Sequence, residues 1–274
     1  MTEIQIILLD TFKCFISFCK ENNISYFTCG GTTLGAVRHG GFIPWDDDID
    51  VYVPRKDYDS LLNIRSKLKG TGFSLMCYKD YPYFRPYARF YNEGYSIEST
   101  WDLMYTEGPF IDVIPLDEAT DDLEATKKLE KRYIDSMKSY RRCLRHLSWY
   151  GIWGKLKKKK WEMSAREIKR KLFFPHSSKD KYLSKFMKVE DEIRKVHGKY
   201  FFCYFHTYPI EKELFHKSFF SFYKEFPFEN IKVRVPGLYK EYLTQLYGDY
   251  MKLPPISKRK VHYKKDQKLI KRIK

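Results

Sequence analysis

Ile4, Ile7, Leu8, Phe12, Phe15 and Phe18 recur every three or four positions near the start of the chain. That spacing puts them on one face of a helix and predicts an amphipathic helix over roughly 3–21. The pattern then changes. ISYFTC (residues 24–29) reads as a short strand running into Gly30-Gly31-Thr32-Thr33, with a helix from Leu34 to about His39. A strand, a glycine turn and a helix start leave backbone N–H groups to hold an anion. Asp48-Ile49-Asp50-Val51-Tyr52-Val53 alternates with period two until Pro54 stops it, the mark of a half-buried strand. A helix over about 56–68, strands at 73–78 and 85–91, and an apolar strand within 108–117 follow. Beyond Thr120 the pattern becomes helical and basic: a long helix to about His146, a second opened by a capping box at Ser164 and ending before Pro175, and a third over about 178–197. Residues 233–255 read as a strand, a helix stopped by Gly248 and a Pro-Pro turn. Internal repeats and low-complexity linkers are absent from the sequence. The expected fold is α/β (α+β): one domain over 1–274, with a mixed-sheet core flanked by helices (about 20–118 plus 230–262) and a basic helical insertion at about 120–200.

The candidate chemistry sits where the strand pattern meets clustered acid. Residues 41–51, GFIPWDDDIDV, carry four aspartates in five positions. Like charges so close repel, and folding gains nothing from them unless a cation or solvent relieves the repulsion. On a strand, Asp48 and Asp50 share a face, about 6.6 Å apart along the chain, while Ile49 and Val51 point into the core. Asp46 has the same parity; Asp47 does not, and is expected to be structural. In GPFIDVIPLD (residues 108–117), Asp112 stands alone among Phe110, Ile111, Val113 and Ile114, a costly position unless something satisfies the carboxylate. Asp48, Asp50 and Asp112 together suit Mg²⁺ or Mn²⁺, hard ions that take carboxylate oxygens and complete their shell with phosphate and water. Such ions clamp the attacking and leaving oxygens of a displacement at phosphorus. The expected roles are metal ligands for Asp48 and Asp50, with Asp112 either completing a second metal site or helping to deprotonate the acceptor hydroxyl.

Charge sharpens this picture. The chain has 274 residues and a formal charge of +16, but residues 1–120 carry 11 basic and 17 acidic residues, whereas 121–274 carry 40 and 18. An acidic half suited to divalent cations precedes a basic half suited to anions. Six cysteines without C-x-x-C spacing predict reduced core thiols rather than a zinc site. The first apolar stretch is broken by Asp10 and Lys13 and no run approaches a membrane span, so the expected location is cytoplasmic. SWYGIWGKLKKKKW (residues 148–161), aromatic and basic together, is a candidate peripheral contact with the inner face of a membrane. A nucleic-acid-binding role would use the basic half but leave Asp48, Asp50 and Asp112 unexplained, so no nucleic-acid partner is expected.

GGTTLGAVRHGGFIPWDDDID (residues 30–50), GPFIDVIPLD and YGDYMKLPP (residues 247–255) together resemble the LicD/fukutin family of the nucleotidyltransferase-fold superfamily. The resemblance runs from about residue 24 to 262. It implies transfer of a phospho-alcohol, such as phosphocholine or ribitol phosphate, from a CDP-alcohol donor to a glycan or lipid-linked glycan acceptor. Onto this chain it carries Gly30 and Gly31 of the anion-holding turn, Asp48, Asp50 and Asp112 as the acids, and Arg38 as a phosphate contact; Thr32, in the same turn, is a further candidate substrate contact. Sixteen residues separate Gly31 from Asp48, more than is usual in the superfamily, which makes Asp46 a further candidate ligand. Arg89 is a candidate pyrophosphate contact and Trp45 a candidate stacking surface for a base or a choline ammonium, although packing and surface roles are commoner for both. His39 and His262 enter only as groups that titrate near neutrality, and Tyr247-Gly248-Asp249 as a helix end supporting the site. A nucleotidyltransferase that releases pyrophosphate would use the same metals and is the alternative enzyme.

Overall fold

The computed structural model describes residues 1–81, 83–97, 108–144, 175–205, 207–259 and 269–271, with isolated positions between 165 and 173. The capping box at Ser164, the segment 148–161 and His262 lie outside the described residues.

Helix α1 (Glu3–Glu21) follows the spacing closely. Thr2 caps it, its side chain accepting from the Gln5 N–H while the Gln5 side chain answers the Thr2 N–H, a reciprocal box that satisfies two first-turn donors. The apolar face packs edge-on aromatics against the sheet: Phe15 meets Tyr26 and Phe90 at ring separations of 5.6 and 5.5 Å, and Phe12 meets Phe228 at 6.1 Å. Each ring, fully buried, contributes about 1.5–3 kcal/mol.

Strands β1 (Phe27–Thr28), β2 (Ile49–Pro54), β3 (Phe73–Met76), β4 (Ala88–Asn92) and β6 (Phe110–Ala119) form a sheet in the order β1-β2-β6-β4-β3. β2 and β6 are parallel; the neighbouring pairs are antiparallel. The far end of β6 carries β7 (Tyr200–Phe202) and then β8 (Leu214–His216). A short β5 (Tyr95–Ile97) pairs β11 (Leu269–Lys271), and β9 (Tyr223–Phe228) forms a hairpin with β10 (Ile231–Pro236). The mixed sheet flanked by helices is the α/β class that the period changes predict. β7, β8 and the β9 strand escape the sequence pattern because they are short, aromatic or exposed on both faces, so they lack clean alternation.

Helix α2 (Gly30–His39) starts at the glycine pair itself, not at Leu34, which corrects the expected turn. Gly30 takes a φ of +50°, and from there the chain coils at once. Helix α3 (Arg55–Ile64) follows β2 immediately. Helices α4 (Leu123–Leu144) and α5 (Lys179–Ile193) pack on each other and on the end of β6 through Tyr133, Phe186 and Phe202. A buried ionic network fastens them. Arg55 meets both oxygens of Asp117 at 2.6 and 2.7 Å and Glu190 at 3.3 Å, and Arg194 bridges Glu190 and Asp59 at 3.1 and 3.0 Å. Burial works against the Arg55 charge, but Asp117 and Glu190 more than offset it, and its pKa stands well above the ordinary arginine value. α6 (Ile210–Glu213) and α7 (Tyr239–Tyr247) close the fold beside α2.

Candidate active site

The parallel pairing of β2 with β6 sets Asp50 directly beside Asp112, and the antiparallel pairing of β6 with β4 sets Arg89 on the other side of Asp112. Neighbouring strands lie about 4.8 Å apart. Two acids from distant parts of the chain are thus brought onto adjacent strands, on one face of the sheet. Asp48 immediately precedes β2 and shares the parity of Asp50. Asp46, Asp48, Asp50 and Asp112 all line one cleft of about 390 Å³, together with Gly30 and Gly31 at the start of α2.

The glycine pair is shaped around an acid. A Cβ on Gly31 would lie 2.6 Å from Asp46 Oδ2, so only glycine lets that carboxylate rest against the first turn of α2. Negative charge is favoured there, because the first N–H groups of a helix have no carbonyl behind them and the helix dipole is positive. The Gly30 N–H donates to Tyr242 Oη at 2.8 Å. Thr32 is buried and its hydroxyl accepts the Asp50 N–H at 2.9 Å, so it fastens α2 to the strand that carries the acids and does not face the cleft. The Cys29 N–H donates to the Asp50 carbonyl at 3.1 Å, fixing the same residue from its other side.

The loop from Gly40 to Asp48 is braced from two directions. The Gln5 side chain donates to the Asp46 carbonyl at 2.8 Å, tying the capped end of α1 to the acid run. Glu229, at a φ of +53° in the hairpin turn, accepts the Phe42 N–H at 3.0 Å and donates its own N–H to the Gly40 carbonyl at 2.7 Å. Asp47 is buried, in keeping with its opposite parity.

Arg89 is buried, not superficial. Its Nε donates to Asp112 Oδ1 at 2.7 Å and its guanidinium lies 3.4 Å from the centroid of the Phe110 ring. Arg38 and Trp45 lie outside the cleft lining. Arg38 Nη1 donates to the carbonyls of Tyr250 and Lys252 at 2.7 and 3.5 Å, and Trp45 carries Arg259 over its ring at 4.4 Å and meets His39 edge-on. His39 is pushed below the ordinary histidine pKa by desolvation and by Arg38 beside it. Tyr247 lines the cleft, whereas Gly248, at a φ of +70°, ends α7 and Asp249 is exposed.

Much of the cleft lining is aromatic, and sequence reasoning missed most of it. Tyr52, Tyr87, Phe205, Tyr208, Tyr242 and Tyr247 line the cleft. Phe205 and Tyr208 keep exposed faces, while Tyr208 and Tyr247 meet edge-on at 5.7 Å. Burial raises the phenols of Tyr52, Tyr87, Tyr208, Tyr242 and Tyr247, so all stay neutral O–H groups at physiological pH. Cys29 and Cys203 are likewise pushed up, chiefly by burial, and are thiols rather than thiolate nucleophiles. Buried Glu213 accepts the N–H groups of Thr207 and Tyr208 at 2.9 and 2.8 Å and holds that rim in place. The sole hint of this wall was the frequency of tyrosine, 23 in the chain; its residues come from segments that only the fold brings together.

The donor set is carboxylate oxygen, the chemistry that Mg²⁺ and Mn²⁺ take. Among the described residues, no three His, Cys, Asp or Glu side chains already stand gathered as a closed metal cage. Asp112 is paired with Arg89, whose Nε lies 2.7 Å from its Oδ1. Among the described residues, no helix is long and apolar enough to cross a membrane.

The family described as "LicD/FKTN/FKRP, nucleotidyltransferase domain" matches residues 23–154. The "Lipopolysaccharide cholinephosphotransferase LicD" of Haemophilus influenzae is 31% identical, over 96% of this chain and 96% of its own length. The "Ribitol 5-phosphate transferase FKRP" of Homo sapiens is 31% identical over 64 residues, which are 23% of this chain and 13% of that protein. An uncharacterized Rickettsia prowazekii protein, RP689, is 42% identical over 55 residues, 20% of this chain and 21% of that one.

Proposed function

The chain belongs to the LicD family of transferases, and from that premise we propose that it moves a phospho-alcohol, phosphocholine foremost, from a CDP-alcohol to a hydroxyl of a cell-surface glycan, releasing CMP. The single observation that carries this reading is the register of Asp50 beside Asp112, in one cleft with Asp48 and the first turn of α2. Asp48, Asp50 and Asp112 would hold Mg²⁺ or Mn²⁺, with Asp46 a further candidate. The ion would supply charge neutralisation at the diphosphate and at the leaving CMP oxygen.

The acceptor oxygen attacks the phosphorus that bears the alcohol, the bond from that phosphorus to the CMP oxygen breaks, and the acceptor proton leaves to a base or to water. Arg89 already donates to Oδ1 of Asp112, which favours Asp112 as an anionic oxygen donor over a proton acceptor. The Gly30 N–H is already held by Tyr242 Oη, so the first turn of α2 would act on the diphosphate chiefly through its positive dipole end. Thr32 and Cys29 hold Asp50 from both sides of its peptide group, so the acid strand cannot slide relative to that helix. Neutral aromatic walls beside carboxylates suit a cationic alcohol such as choline, since a quaternary ammonium rests on π faces. The cytoplasm, where CDP-alcohols would be met, is the proposed location.

The test is direct. Incubating the protein with Mg²⁺, lipopolysaccharide and a mixture of CDP-choline and CDP-ribitol should release CMP and add phosphocholine to the glycan, read by mass spectrometry. No CMP release across a broad panel of donors and glycans would overturn the reading. The nucleotidyltransferase wording of the family description favours one alternative, transfer of the nucleotide half; release of pyrophosphate from a nucleoside triphosphate, in place of CMP, would establish it.

A further inference from the structure

The segment that follows α7 carries an apolar, cationic surface that the proposed chemistry does not use. Met251, Leu253 and Ile256 lie within six residues of one another and are 57, 50 and 79% exposed. Around them the sequence Tyr250–Lys260 has Lys252, Lys258, Arg259 and Lys260 and no acidic residue. Large apolar side chains held in water are unfavourable unless another phase receives them.

This surface is not a loose tail. The Tyr250 N–H donates to the Gly248 carbonyl at 2.8 Å and the Lys252 N–H to Asp249 at 3.2 Å. Arg38 of α2 grips the Tyr250 and Lys252 carbonyls at one end. At the other, Arg259 donates from Nε to the Pro254 carbonyl at 3.2 Å and covers Trp45. Pro254 and Pro255 stiffen the span between these anchors. The loop is therefore fastened to the same helix and the same Pro44–Trp45 turn that frame the acids, a few residues from Tyr247 in the cleft wall.

We propose that Met251, Leu253 and Ile256 insert into the interfacial layer of an anionic lipid bilayer, with the exposed Lys252 on the headgroups, so that the cleft opens at the membrane surface. Charge complementarity selects this occupant. The chain beyond residue 120 is strongly basic, and apolar side chains flanked by Lys and Arg combine burial in the acyl boundary with attraction to anionic headgroups. The biological sense of the contact rests on the reading that the acceptor is a lipid-linked glycan. The contact itself is measured without substrate, so its failure and the failure of that reading are separate results.

The experiment is co-sedimentation of the full chain with vesicles of phosphatidylcholine alone and of phosphatidylcholine with about a third phosphatidylglycerol. The native chain should pellet with the anionic vesicles and much less with the neutral ones. Leu253→Asp combined with Ile256→Asp should lower partitioning at least tenfold. Both positions are exposed, so its thermal midpoint and its CMP release on a water-soluble glycan acceptor should match the native chain. Leu253→Trp should strengthen binding, with a blue shift of its fluorescence on anionic vesicles. The proposal is overturned if the native chain stays in the supernatant, or if the double variant pellets as the native chain does, which would put the contact elsewhere, as at residues 148–161. Retention on a protein or nucleic-acid partner with no vesicle binding would overturn it equally.

Discussion

Replacing Arg89 by methionine isolates the electrostatics of the site. Arg89 is buried and donates to Asp112 at 2.7 Å, while Asp50 lies beside Asp112 on the next strand. Two unit charges at about 4 Å interact by about 4 kcal/mol at an effective dielectric near 20. Breaking a largely buried pair by removing one partner costs about 3–5 kcal/mol, because the remaining charge is left uncompensated. Asp112 keeps some solvent contact, its side chain being 15% exposed, so the lower end applies. Arg89→Met should cost about 3 kcal/mol, a fall of about 6–12 °C in thermal midpoint for a chain of this size. Adding Asp112→Asn to it should recover at least half of that loss, since the orphaned charge is then gone. Mg²⁺ should also recover part of it, and raise the midpoint of Arg89→Met more than that of the native chain, because the ion replaces guanidinium as the counter-charge. Scanning calorimetry with and without Mg²⁺ on the four proteins of the cycle reads all of this. A double variant no more stable than Arg89→Met, together with equal Mg²⁺ shifts in the native and Arg89→Met proteins, would refute the reasoning.

Further outcomes follow from the same geometry. Asp48→Ala and Asp50→Ala should fold with native midpoints yet lose at least about a thousandfold in CMP release at saturating Mg²⁺, on the scale of losing a principal electrostatic group; a near-native rate in either would remove that residue from the ligand set. Gly31→Ala should displace the Asp46 carboxylate, which lies 2.6 Å from the new Cβ, lowering turnover while the circular dichroism stays native; unchanged kinetics would show that Asp46 has no part in the site. Thr32→Val leaves the Asp50 N–H without its acceptor, at a cost of about 1–3 kcal/mol in urea unfolding, and an unaltered midpoint would mean that water replaces the hydroxyl. Asp59 is opposed by desolvation but held below the ordinary carboxylate pKa by Arg194 and Arg55. Its contribution is therefore complete above about pH 4 and is lost as pH falls through the depressed value. Asp59→Asn should thus destabilise by less than about 1 kcal/mol at neutral pH, being partly solvated; the gap should close in acid, and a gap that widens there would contradict the sign.

Local periodicity made much of this molecule legible. α1, β2, α3, α4 and α7 lie close to where spacing, proline stops and caps put them, because each buries one regular face. The acids stand out for a related reason: Asp112 is polar where the strand demands apolar side chains, and Asp48 and Asp50 have the parity opposite to that of buried Ile49, Val51 and Val53. What the sequence withheld is relational. The pairing of Asp50 with Asp112 depends on strand order, which no local pattern encodes. The role of Gly31 depends on Asp46, fifteen positions away, so a glycine that looks like an anion turn also makes room for a carboxylate. Thr32, Arg38 and Arg89 each look like phosphate contacts in isolation, yet in the fold their hydrogen bonds go to Asp50, to the Tyr250 carbonyl and to Asp112. The aromatic wall is gathered from β2, the approach to β4, the loop before α6, and α7, with Glu213 fixing that loop through two backbone N–H groups.

The most direct test of the central claim is Mn²⁺ binding, followed by electron paramagnetic resonance, in the presence of CDP-choline. The native chain should bind Mn²⁺ far more tightly with the nucleotide than without it, and Asp50→Asn and Asp112→Asn should each abolish that gain. Mn²⁺ affinity that is indifferent to the nucleotide, or that survives both substitutions, would contradict the account.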